Sequence, residues 1–129
     1  LSTELKMLAW SIALGFVYVL VAGFLATQQR GVKWNVGNRD GTQEPLSGAA
    51  SRAARAGGNF LETFGFFAAA VLAVTVAKQN TDQTALGSEL YFWARVLYLP
   101  IYIAGIPYVR TVVWAVSIWG IIKVLWVLF

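Results

Sequence analysis

Arg52-Ala-Ala-Arg55-Ala-Gly-Gly-Asn59-Phe-Leu-Glu62 runs directly into an apolar stretch, residues 64–77. Its two arginines, amide and carboxylate are spaced by three, four and three residues. At about 100° per residue, the four side chains share roughly an 80° arc of one helix face. A charge at membrane depth costs several kcal/mol unless it is paired or faces a water-filled cavity. The stripe therefore reads as a polar site within a helix bundle. The alternative is an interhelical salt-bridge network that only fixes packing.

Composition supports a membrane setting. Of 129 residues, 58% are hydrophobic and 12% charged, which lies outside the soluble globular range. There is no cysteine and no histidine. That excludes disulfides, thiolate metal sites and a cysteine nucleophile, and removes the commonest general base and metal ligand. No metal site is expected. The net charge of +4 does not point to nucleic acid, because the basic residues are dispersed and several fall in apolar segments.

Outward from the stripe, four spans are expected. Residues 5–26 form an apolar run long enough to cross a hydrocarbon core of ~30 Å. It is too long for a signal-peptide core, and its flank carries both Glu4 and Lys6. Residues 27–47 are polar and turn-rich, with Arg30, Lys33, Arg39 and Pro45, and read as a long loop. The second span, residues 48–77, is rich in alanine and glycine in its first half, which permits close helix approach. The third, residues 88–106, carries Tyr91, Arg95, Tyr98 and Tyr102 at spacings of four, three and four. These share roughly a 60° arc. Pro100 should kink this helix. Pro107 separates it from the fourth span, residues 111–129.

An even number of spans puts both termini on one side. The positive-inside rule places the termini outside and the long loop in the cytoplasm. Arg55, Asn59, Tyr98, Tyr102 and Arg110 then share one end of the bundle. Glu62 and Arg95 lie deeper and are expected to pair, within one subunit or between two.

Taken together, the stripe, the Arg95-x-x-Tyr98-x-x-x-Tyr102 pattern and Arg110-Thr111 resemble the MAPEG family, the membrane-associated proteins in eicosanoid and glutathione metabolism, and its bacterial branch most closely. The resemblance runs from about Gly37 to Trp114. It implies an all-α integral membrane protein of the bacterial inner membrane, a homotrimer of four-transmembrane-helix subunits with glutathione as cosubstrate between neighbours. Arg52, Arg55, Asn59, Glu62, Arg95, Tyr98 and Tyr102 would bind the tripeptide. Arg110 and Thr111 match the place of the family's thiol-activating group, and Arg30 or Lys33 would add a charge from the adjacent subunit. The implied function is a membrane-bound glutathione transferase, with or without glutathione peroxidase activity on lipid hydroperoxides. Its other substrate would be a lipophilic small molecule reached through membrane lipid. Ser51, Gly57, Gly58 and Trp114 depart from the family pattern. Two other readings compete. One is a non-catalytic lipid- or glutathione-binding scaffold on the same fold. The other is a small multidrug transporter, disfavoured because residues 5–26 contain no acid and Glu62 lies beside arginines.

Overall fold

The computed structural model describes residues Leu1–Phe129. Five helices follow in order: α1 (Thr3–Arg30), α2 (Val32–Val36), α3 (Gly48–Ala77), α4 (Asp82–Ala104) and α5 (Pro107–Trp126). Local chemistry sets their ends. Ser2 caps α1 by accepting from the Leu5 amide at 3.2 Å. Gly31, with φ +92°, stops it. Thr81 and Thr84 form a reciprocal capping box that starts α4, and Gly105 in the left-handed region closes it. Pro107 is the first residue of α5, where its missing N–H leaves no helix bond unmade.

Several boundaries differ from the sequence expectation. α1 continues through Thr27-Gln28-Gln29-Arg30, because helical order persists in polar residues until glycine intervenes. The loop is correspondingly shorter, residues 31–47, and holds the single short turn of α2. α4 begins six residues before Ser88, where the threonine box supplies a cap that apolar periodicity does not report. α5 begins at Pro107, four residues before Thr111. Pro100 lies inside α4, which runs past it to Ala104 as one helix.

The four long helices alternate in direction. Leu8 of α1, Val74 of α3, Tyr91 of α4 and Val124 of α5 meet in one apolar cluster at the end holding the termini. Tyr18, Phe60, Tyr98 and Tyr102 meet in a second cluster toward the loop. Glu4, only 3% exposed, ties α1 to α4 by accepting from Thr84 Oγ1 at 2.6 Å. α4 and α5 cross in backbone contact: a Cβ added to Gly120 would lie 2.5 Å from the Gly87 carbonyl oxygen. Only glycine at both positions allows this approach.

α1, α3 and α5 are each long and apolar enough to cross a membrane. At 23 residues α4 extends about 35 Å, but it is not among the helices that qualify by composition. Its buried face is polar and aromatic, including Thr84, Ser88, Tyr91, Arg95, Tyr98 and Tyr102. The exposed surface is studded with large apolar side chains such as Phe16, Phe66, Trp93 and Val112. This is the inverse of a soluble bundle, and defines an integral membrane protein.

Candidate functional site

The loop-side half of the bundle gathers the sequence's chemistry. Arg95 is the largest fully buried side chain. Its Nη1 donates to Asn59 Oδ1 at 2.7 Å. Its Nε and Nη2 have no partner. The guanidinium carbon lies 4.8 Å from the Tyr98 ring centroid and 5.7 Å from that of Tyr91, so ring quadrupoles supply part of the missing stabilisation. Two unsatisfied N–H-bearing nitrogens on a buried cation are costly.

Tyr98 and Tyr102 meet edge to face, with centroids 5.4 Å apart. Around this pair stand two more arginines. Arg110 places its guanidinium carbon 4.6 Å from the Tyr102 centroid. Arg55, on the exposed rim, reaches the Tyr102 hydroxyl through Nε at 3.3 Å and donates to Ser51 Oγ through Nη1 at 2.7 Å. Asn59, Tyr98, Tyr102, Arg110, Thr111 and Trp114 line one open cleft of ≈ 270 Å³. A larger groove of ≈ 450 Å³ between α3 and α5 has wholly apolar walls and nothing to orient a polar ligand.

Not every residue of the stripe joins the cleft. Arg52 donates from Nε to the Ile103 carbonyl at 2.7 Å, satisfying an open acceptor at the C-terminal end of α4. Glu62 is exposed on α3. Of the two arrangements expected for the Glu62–Arg95 pair, within one subunit or between two, the first is not formed, since Arg95 turns instead to Asn59, one turn earlier on the same face. Arg55 and Glu62 are both exposed on α3, with Arg55 held to the Tyr102 hydroxyl. Thr111 is exposed, and its hydroxyl donates to the Pro107 carbonyl at 3.2 Å. No three acidic side chains cluster to cage a metal ion.

The structure adds a residue that the sequence reading passed over. Tyr18 of α1 is 1% exposed. Its hydroxyl donates to the Arg95 backbone carbonyl at 2.6 Å, and its ring stacks on Phe60 at 4.6 Å. It braces the α4 turn that carries Arg95. A lone hydroxyl-bearing ring within an apolar span was the available signal, since such a group needs a partner in lipid.

The loop is tied down beside this end. Gln29 and Ser47 exchange two bonds, Gln29 Nε2 to the Ser47 carbonyl at 2.7 Å and the Ser47 amide to Gln29 Oε1 at 3.1 Å. This brings the end of α1 against the start of α3.

An all-α membrane bundle with a cationic, tyrosine-lined cleft at one end is the class that fold and site define. The chain belongs to the MAPEG family, whose model matches residues 7–129. No curated protein and no solved structure matches the chain.

Proposed function

We propose that the protein is a membrane-bound glutathione transferase that activates the glutathione thiol for attack on a lipophilic electrophile. The observation that carries this reading is the charge imbalance in the half of the bundle that holds the cleft. Arg52, Arg55, Arg95 and Arg110 are accompanied in this half of the bundle by one intramembrane carboxylate, Glu62. Arg95 keeps two guanidinium nitrogens without partners. Glutathione carries two carboxylates and one ammonium at neutral pH. Its carboxylates match the arginines in charge-assisted contacts, and its ammonium matches Glu62.

Asn59 positions the buried Arg95, and Tyr98 and Tyr102 form the wall against which the peptide backbone lies. Arg110 supplies positive charge where the thiol sits. A nearby cation favours the thiolate, and each pK unit of depression is worth about 1.4 kcal/mol. The thiol proton leaves to solvent through the open side of the cleft. The thiolate sulfur then bonds to the electrophilic carbon, and the leaving group departs with its electron pair. No residue nucleophile is required, consistent with the absence of Cys and His. With a lipid hydroperoxide, a second glutathione would complete reduction to the alcohol and water, leaving the disulfide.

Arg55 and Glu62 are exposed on α3, which supports a complete site between neighbours in a homotrimer of four-span subunits. Arg30, Lys33, Arg39 and the cleft arginines share the loop end. That charge bias favours a cytoplasmic loop with both termini outside; a bacterial inner membrane is what the resemblance to the family's bacterial branch implies.

Purified protein should conjugate glutathione to an aromatic halide and show thiolate absorbance when glutathione is added. Arg110→Ala should lose both signals. Glutathione binding without thiolate or product, in wild type as in the variant, would instead identify a non-catalytic scaffold.

A further inference from the structure

At the opposite end of the bundle, a furrow between α4 and α5 has a polar head and an apolar body. Gln83, Leu86, Leu90, Trp93 and Leu97 recur every three or four residues along α4. Val116, Trp119, Lys123 and Trp126 do the same along α5. The helices are antiparallel and held in contact at Gly87 and Gly120, so the two stripes flank the same seam. The head pocket, ≈ 320 Å³, is walled by Trp119, Trp126, Ile122, Gln83 and Lys123. Further along the same two helices lies a second pocket of ≈ 310 Å³, apolar except for Glu89.

Lys123 is half-buried rather than extended into solvent. Its Nζ hydrogen-bonds to Gln83 Oε1 and lies 5.2 Å from the Trp119 ring centroid. The ammonium is therefore held at a pocket whose other walls are Trp119, Ile122 and Trp126. From Gln83 to Leu97 the α4 stripe covers about 21 Å, more than the ~15 Å depth of one leaflet's hydrocarbon. A ligand that suits both parts has an anionic head and a long alkyl tail. Two carboxylates lie nearby. Asp82 is exposed in the first turn of α4, where the helix dipole tolerates it. Glu89 is about 9 Å along α4 from Gln83, beyond the head pocket.

We propose that this furrow binds an anionic phospholipid, its phosphate at Lys123 between Trp119 and Trp126 and one acyl chain laid along Leu90 and Leu97. The site is separate from the tyrosine-lined cleft and rests only on the protein being embedded in a bilayer. Lipid held there would clamp the α4–α5 pair whose other end carries Tyr102 and Arg110.

The test uses the purified full chain, delipidated and then exposed to phosphatidylglycerol and phosphatidylcholine of matched acyl chains, with bound lipid counted by native mass spectrometry. Wild type should retain the anionic lipid about fivefold over the zwitterionic one, the factor expected of one well-placed basic residue. Lys123→Gln should abolish that preference and Lys123→Arg should keep it. Lys6→Gln makes the same charge change near the same end of the bundle, on exposed α1 surface, and should leave the preference intact. Equal retention of both lipids by wild type, or equal loss in Lys6→Gln, would overturn the proposal. A second measurement leaves Lys123 in place. The chain has no cysteine, so Leu86→Cys in the furrow and Val76→Cys on exposed α3 each report through maleimide labelling. Phosphatidylglycerol should slow labelling at position 86 and not at 76. Equal slowing at both would mean a general interfacial belt and no site.

Discussion

Replacing Asn59 by alanine removes the only hydrogen bond made by the buried Arg95 side chain. A hydrogen bond to a charged group contributes about 1.5–3 kcal/mol, and stranding a buried ion can reach about 3–5 kcal/mol. The Tyr98 and Tyr91 rings, 4.8 Å and 5.7 Å away, stay in place and hold the loss toward the lower range, about 2–3 kcal/mol. Equilibrium unfolding in mixed micelles with a rising fraction of sodium dodecyl sulfate measures it. Asn59→Asp should retain wild-type stability or exceed it, since a carboxylate accepts the same bond with a full charge. Combining Asn59→Ala with Arg95→Met should cost less than the two single changes added together, because the stranded cation is gone. Saturating glutathione should recover part of the Asn59→Ala loss if its carboxylate reaches the free guanidinium nitrogens. An Asn59→Ala protein within about 0.5 kcal/mol of wild type, or strict additivity in the double variant, would refute the reasoning. Either would mean that the Arg95 charge is satisfied elsewhere.

Other perturbations follow from the same geometry. Gly120→Ala drives a methyl into the Gly87 carbonyl oxygen and, at 2.8 Å, the Tyr91 amide. It should lower stability by about 1–3 kcal/mol, whereas Gly23→Ala, with nothing within 4 Å, should not. Tyr18→Phe keeps the Phe60 stack and loses the bond to the Arg95 carbonyl, a change of about 0.5–1.5 kcal/mol in the same unfolding assay. Gln29→Ala breaks both bonds to Ser47. Trypsin should then cut the loop at Lys33 or Arg39 about fivefold faster, with cleavage within α3 unchanged.

Much of the architecture was legible because lipid enforces a simple code. Runs long enough to span the core, interrupted by polar turns, set the order of the long helices. The stripe from Arg52 to Glu62 gave one helix face, and the tyrosine spacing in α4 gave the face opposite. Antiparallel order then brought Asn59, Tyr98, Tyr102 and Arg110 around one cleft. What the pattern could not supply was partner choice. Asn59 and Glu62 lie one turn apart on the same face, and only packing depth decides which one Arg95 meets. Arg52 belongs to the same periodic stripe, yet it sits level with the end of α4 and serves an open carbonyl there. Tyr18 was hidden because a single hydroxyl in an apolar run has no periodic signature. The early start of α4 at Asp82 was hidden for a related reason. Its cap is a pair of threonines read by hydrogen bonding, and hydropathy is blind to them.

Calorimetric titration of the purified wild-type protein with glutathione tests the central claim most directly, with Arg95→Met titrated alongside. Saturable binding by wild type, weakened at least tenfold when the buried guanidinium is removed, is the predicted outcome, a factor that corresponds to about 1.4 kcal/mol. No heat with wild type, or equal affinity in Arg95→Met, would contradict the account.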